Sequence, residues 1–107
     1  MQIVDIWINC PSEEVADAIA ETLISRRLVA CANRYGAIES AWHWRGAVER
    51  GREVPLLLKT RAEFFEAVAA AAREFHPFDV PAITAVPVSQ ATPDYAAWIE
   101  AETNGGA

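Results

Sequence analysis

The chain has 107 residues, 52% of them apolar, and 15 acidic against nine basic side chains give a net charge of −6. That length supports one domain, residues 1–107, and the acidic balance argues against the basic face of a nucleic-acid binder. No apolar run reaches the roughly eighteen residues of a membrane-spanning helix. Met1-Gln2-Ile3-Val4-Asp5 lacks the basic start and small-residue cleavage site of a secretory signal. Two cysteines make neither a disulfide framework nor a four-ligand zinc pattern. The expectation is a cytoplasmic, soluble protein whose excess of apolar residues calls for a partner subunit.

Ile3 to Ile8 is a nearly continuous apolar run rich in Ile, Val and Trp, which predicts a buried strand. Pro11-Ser12 punctuates it. Ser12 is placed to cap a helix, with Glu13 and Glu14 where the helix dipole favours anions. Val15, Ile19 and Leu23 with Ala16, Ala20 and Ile24 form one helical stripe, closed by Arg26 and Arg27. A second strand region runs from Val29 to Trp44 with a break at Tyr35-Gly36. Arg45-Gly46 predicts a turn, and Glu53 to Lys59 the returning strand. Pro55 cannot donate to a ladder, so that position is expected at an edge or a bulge.

Thr60-Arg61-Ala62-Glu63 has the form of a capping box. The helix after it carries the stripe Phe64, Val68, Ala71, Ala72 and Phe75 and must end before Pro77. His76-Pro77-Phe78-Asp79-Val80-Pro81 is a stiff, extended connector, because each proline fixes its own φ and restrains the residue before it. Ala82 to Val88 is another apolar strand. Thr92-Pro93-Asp94 opens a last helix, with Thr92 as cap and Tyr95, Trp98 and Ile99 as anchors.

The order β-α-β-β-α-β plus a terminal helix predicts an α+β, ferredoxin-like fold. Right-handed crossovers then give an antiparallel sheet of order 4-1-3-2 with two helices on one face. The strand runs are apolar on both sides, and one short terminal helix cannot cover a whole sheet face. Copies of the chain are the expected cover.

Asn9-Cys10-Pro11, Leu28-Val29-Ala30-Cys31-Ala32-Asn33, Trp42-His43-Trp44-Arg45-Gly46, Leu58-Lys59-Thr60, the 76–81 connector and Pro93-Asp94-Tyr95-Ala96-Ala97-Trp98 follow one another in this order. Together they resemble the CutA divalent-cation tolerance family over roughly residues 3 to 103. The resemblance implies a tight homotrimer shaped like the PII signalling proteins, and a cytoplasmic role in tolerance to copper or other divalent metal ions. Two departures stand out. Ala82 occupies a position where the family often carries an acid, and Pro55 interrupts a strand that usually reads as unbroken.

Topology supplies a separate argument. Strands 1 and 4 are expected as antiparallel neighbours, which brings Cys10 beside the connector. A thiolate and the His76 imidazole suit copper or zinc, and Asp79 adds an oxygen. Cys10, His76 and Asp79 are therefore the candidate metal ligands. Against each stands a plainer role: a small buried hydrophobe for Cys10, a helix-end cation for His76, a turn residue for Asp79. Cys31 begins a strand parallel to strand 1 and is expected in the core, ~20 Å from Cys10. His43 lies between two tryptophans and faces away from both.

Trp42 and Trp44 share a strand face. They read as an anchor for a neighbouring subunit or as the wall of an inter-subunit cleft. With Lys59, and with Arg45, Arg50 and Arg52 nearby, such a cleft would take a small anion, as a PII-like signalling module does. The same arginines are equally placed to pair with Glu39, Glu49 and Glu53 across strands. No serine or cysteine nucleophile comes with a recognisable base and orienting group, apart from the Cys10–His76 coincidence. The expectation is a binding protein without catalytic activity.

Overall fold

Alternation along the first strand sets the layers of the molecule. In the computed structural model, which describes residues 1–106, β1 (Ile3–Cys10) turns Val4, Ile6, Ile8 and Cys10 into the core. Asp5, Trp7 and Asn9 take the opposite face. α1 (Glu13–Ser25) starts at Ser12, whose Oγ accepts from the Val15 N–H at 3.2 Å, so the predicted cap is made. Its buried residues are Ala16, Ile19 and Leu23.

The predicted second strand is divided into β2 (Cys31–Arg34) and β3 (Ile38–Trp44). Arg45 (φ 49°) and Gly46 (φ 82°) then reverse the chain, a left-handed pair suited to a tight hairpin. The returning strand β4 is one unbroken run, Ala47–Arg61, starting well before the expected Glu53. Its first half pairs with β3, from Trp44↔Ala47 to Ile38↔Glu53. Its second half lies between β1 and β2. The polar distal half lacks the apolar signal of a buried strand, because it is a two-stranded ribbon with mostly exposed side chains.

A 3-10 turn (Ala62–Phe64) leads into α2 (Phe65–Arg73), which buries Val68, Ala71 and Ala72. β5 (Ile83–Pro87) lies along the other side of β1, and α3 is Pro93–Glu102. The sheet order is β2-β4-β1-β5, with β3 extending from β4. This is the expected α+β, ferredoxin-like order 4-1-3-2, with the predicted second strand in two pieces. Core residues of α1 and α2 pack on Val4, Ile6, Ile8, Val54, Leu56 and Leu58.

Four local expectations are corrected. Pro55 sits in an inner strand rather than an edge strand, but at a gap in its outer ladder, between the last β2 partner position, Leu56, and the first β3 partner position, Glu53. It faces Asn9, whose own N–H turns away to the Ala82 carbonyl at 3.2 Å, so the pair is a non-hydrogen-bonded one and the missing donor costs that ladder nothing. On its other side β2 has ended, and the Tyr35 N–H donates to the Pro55 carbonyl at 2.9 Å.

The Thr60–Glu63 capping box does not form. Thr60 is still in β4, buried, and donates its hydroxyl to the Leu28 carbonyl at 2.7 Å, while the helix begins without a side-chain cap. Thr92 occupies the N-cap position of α3 but makes no side-chain cap bond. Its hydroxyl instead bonds the Asp94 carboxylate and, with the Tyr95 N–H, holds that carboxyl below its usual range. Finally, Phe75, Tyr95 and Trp98 are exposed, and Ile99 alone of the expected anchors of α3 is buried.

α3 lies on the sheet face opposite α1 and α2, at the end holding Ile3, Asp5 and Lys59. There Arg61 donates to the Glu100 carbonyl at 2.7 Å and to the Thr103 hydroxyl at 3.0 Å. The rest of that face is not covered by a helix. Trp7 and Tyr35 meet there with ring centroids 5.5 Å apart over Leu57, and Val86 is 49% exposed.

Candidate functional site

The connector is built as a rigid joint. α2 closes when the His76 N–H donates to the Ala72 carbonyl at 3.0 Å, and Pro77 stops it from continuing. His76 is buried at 6% exposure. Its Nε2 lies 2.8 Å from the Asn9 carbonyl, and its Nδ1 receives the Phe78 N–H at 3.4 Å. A carbonyl only accepts and an amide N–H only donates, so the proton is on Nε2 and the Nδ1 lone pair is engaged. Phe78 packs edge-on against the imidazole with centroids 4.9 Å apart.

The topological expectation therefore holds for the backbone and not for the side chains. His76 does reach the end of β1, but through Asn9. Cys10 is fully buried on the helix side, and its Sγ contacts the Ile8 carbonyl at 4.0 Å. Burial, and then the charge of Glu53, push its thiol up to about 11, so it stays protonated near neutral pH. Asp79 is paired with Arg45 at 3.4 Å on an exposed loop. Among the described residues no group of three or more His, Cys, Asp or Glu is arranged to hold a metal ion. As a set, Cys10, His76 and Asp79 do not fit a copper or zinc centre within one chain. Cys31 is half-buried, not in the core, with its Sγ 3.9 Å from Asn33 Oδ1. Both cysteines are free.

The concave feature near these residues is a groove of about 970 Å³ between the β3–β4 ribbon and the connector. Trp42, Trp44, Glu49 and Glu53 line it from the ribbon, and Phe78 and Val80 from the connector. The four ribbon residues share one face by strand alternation, since Trp42 is the register partner of Glu49. Trp42 lies across Gly51, where an added Cβ would be in van der Waals contact with the indole at 3.4 Å. The Arg45 guanidinium lies 5.0 Å from the Trp44 ring centroid while it reaches Asp79.

Trp42 and Trp44 are thus brought together, as expected. Lys59 is not with them; it lines a separate cavity of about 170 Å³ under α3. Arg45 and Arg52 face Asp79 and Glu39 at 3.4 and 2.9 Å in exposed ion pairs, and for Arg52 this is the cross-strand pairing that the sequence offered as the alternative to an anionic ligand. Glu49, Glu53, Phe78 and Val80 were missed as a group. The hairpin alternation would have aligned the two glutamates with the tryptophans, but nothing local to the connector says which strand it faces.

The family described as CutA1 divalent ion tolerance protein matches residues 4–102. The chain belongs to the CutA1 divalent ion tolerance family. The divalent-cation tolerance protein CutA of Thermus thermophilus is 36% identical over 98 residues, covering 92% of this chain and 95% of that protein. Protein CutA of mouse is 35% identical over 97 residues, 91% of this chain, and the chain spans only 55% of the length of that relative. The solved CutA1 structure from Thermus thermophilus superposes with a TM-score of 0.91 at 36% identity, covering 97% of this chain and all of that one (100%). The periplasmic divalent cation tolerance protein CutA from Archaeoglobus fulgidus superposes with a TM-score of 0.91 at 31% identity, covering 95% and 99% of the two chains. No helix of the described residues is long and apolar enough to cross a membrane.

Proposed function

We propose that this chain acts in the response to divalent metal ions, as a cytoplasmic homotrimer that binds ions or small ligands and catalyses no reaction. The observation that carries the reading is membership of the CutA1 family across residues 4–102. Assembly is supported by the sheet face that α3 leaves open, where Trp7, Tyr35 and Val86 form an apolar surface. The absence of catalysis is supported by Cys10, the thiol nearest the connector imidazole, being buried and held protonated.

Copper or a related divalent ion is the ligand that the family resemblance implies. The donors of one subunit do not make a closed site for it at Cys10, His76 and Asp79, because one is buried, one is engaged at both nitrogens and one is paired. Metal binding, on this reading, does not run through Cys10 and His76. Calorimetric titration with Cu2+ at pH 7 tests it on the wild type and on a folded C10A/H76Q variant. Equal affinity is the expected result. Loss of binding in the variant would restore the thiol–imidazole site. A wild type that binds no tighter than about millimolar would make the tolerance role indirect.

A further inference from the structure

The groove between ribbon and connector has a chemical character that the metal reading leaves unused. Its walls are indole and phenyl rings, and its charges are negative. The carboxylate residues of its lining are Glu39, Glu49, Glu53 and Asp79, of which Glu39 projects its side chain from the opposite ribbon face. Glu39 and Asp79 have arginine partners, but among the described residues Glu49 and Glu53 have no basic group within ion-pair distance. Two carboxylates flanked by aromatic rings are poor ligands for a hard metal ion, which asks for about six oxygens.

The chain itself shows what such walls accept. Arg45 places a planar cation 5.0 Å from the Trp44 centroid and 3.4 Å from the Asp79 carboxylate, an indole and an acid recognising one guanidinium together. One alternation earlier on the same ribbon face, Trp42 stands opposite Glu49, with Glu53 further along β4. This repeats the pairing of indole and acid without a cation from the chain. The groove, about 970 Å³, is large enough for a small organic molecule.

We propose that this groove binds a small organic cation with a flat apolar body, its amidinium, guanidinium or ammonium head between Trp42 and the Glu49 carboxylate, with Glu53, ~13 Å along β4, adding counter-charge at longer range, and its body against Phe78. The ring faces attract the cation through their quadrupole, and the carboxylates supply the counter-charge. A neutral molecule of the same shape keeps only the apolar contact. An anion meets uncompensated carboxylates and is repelled. The proposal stands independently of whether copper binds elsewhere.

Benzamidine is the probe, titrated into the full chain in its native assembly, with tryptophan fluorescence and calorimetry as readouts. Saturable binding is expected, at least about tenfold tighter than for benzamide, its neutral counterpart, and weakening as salt is raised. E49Q/E53Q is expected to lose about tenfold or more in affinity. F78A, which removes an exposed ring at the opposite wall, weakens benzamidine without abolishing its preference over benzamide. The proposal is overturned if benzamide binds as well as benzamidine, if both variants bind benzamidine like the wild type, or if no saturable binding occurs because a neighbouring subunit fills the groove.

Discussion

The imidazole of His76 donates from Nε2 to the carbonyl of Asn9 at 2.8 Å, fastening the end of α2 to the end of β1. Asn9 turns its own N–H to Ala82, so the two ends of the connector are tied to one residue of the central sheet. Between the ties, Phe78 and Val80 are left to form a groove wall. The histidine is a structural clasp, and the chemistry it makes possible belongs to its neighbours.

Replacing His76 tests the clasp. His76→Ala leaves the Asn9 carbonyl without its partner in a buried place and should cost about 1–3 kcal/mol. The measurement is chemical denaturation monitored by circular dichroism. A variant as stable as the wild type would show that the imidazole is not holding the connector.

Cys10 makes the high-pH limb of stability testable. Its thiol is raised from 9.0 to about 11 in the folded protein, so between these values the folded state holds a proton that the unfolded state has lost. Stability from this group is therefore full below about pH 9 and falls as pH climbs toward 11 and beyond, by up to about 2–3 kcal/mol. The difference between wild-type and C10A stability profiles isolates it from other groups that titrate in the same range. Parallel profiles would contradict the burial of the thiol. Alkylation at pH 8 should likewise modify half-buried Cys31 well before Cys10.

Pro55 is a departure with a small expected consequence. Because it faces Asn9 in a non-hydrogen-bonded pair, Pro55→Val restores a donor that the β1 ladder does not use. The main effect is greater freedom of the unfolded chain, a loss of about 0.4–1 kcal/mol. A stabilising result in thermal melts would mean that the restored N–H, which points to the Tyr35 side, finds an acceptor there.

The sheet face opposite α1 and α2 is the place to test the proposed assembly. Val86→Lys puts a charge on an exposed position of edge strand β5, and its register partner on β1 is Asp5, of opposite sign, so the folded subunit should tolerate it within about 0.5 kcal/mol. Light scattering should report a smaller particle than the wild type. An unchanged mass would move the interface away from this face.

Much of the subunit was legible along the chain because local rules and tertiary packing agree there. The apolar run Ile3 to Ile8 forms the buried strand its composition predicts, and Ser12 caps the helix its hydroxyl announces. Thr60 shows why agreement can fail. Its spacing to Glu63 satisfies a capping box, but a buried place in β4 and the Leu28 carbonyl compete for the same hydroxyl and win. The length of the ribbon was hidden for a related reason. Ala47 to Glu53 is polar, and its strand pairing comes from the Arg45-Gly46 turn and the register it imposes on β3.

By itself the amino-acid order determined the elements, the ferredoxin-like topology and the position of the connector beside β1, because apolar period, turns and crossover handedness are properties of the chain. Only the tertiary structure decided which atoms face one another. Strand parity sends the Cys10 side chain into the core, while the Asn9 backbone groups point in the sheet plane toward the β5 side, so the imidazole meets a carbonyl and not a thiol. The curl of the ribbon toward the connector then sets Trp42, Glu49 and Glu53 across from Phe78. A side chain's partners depend on the register and twist of strands distant in sequence, and those are settled only when the whole sheet packs.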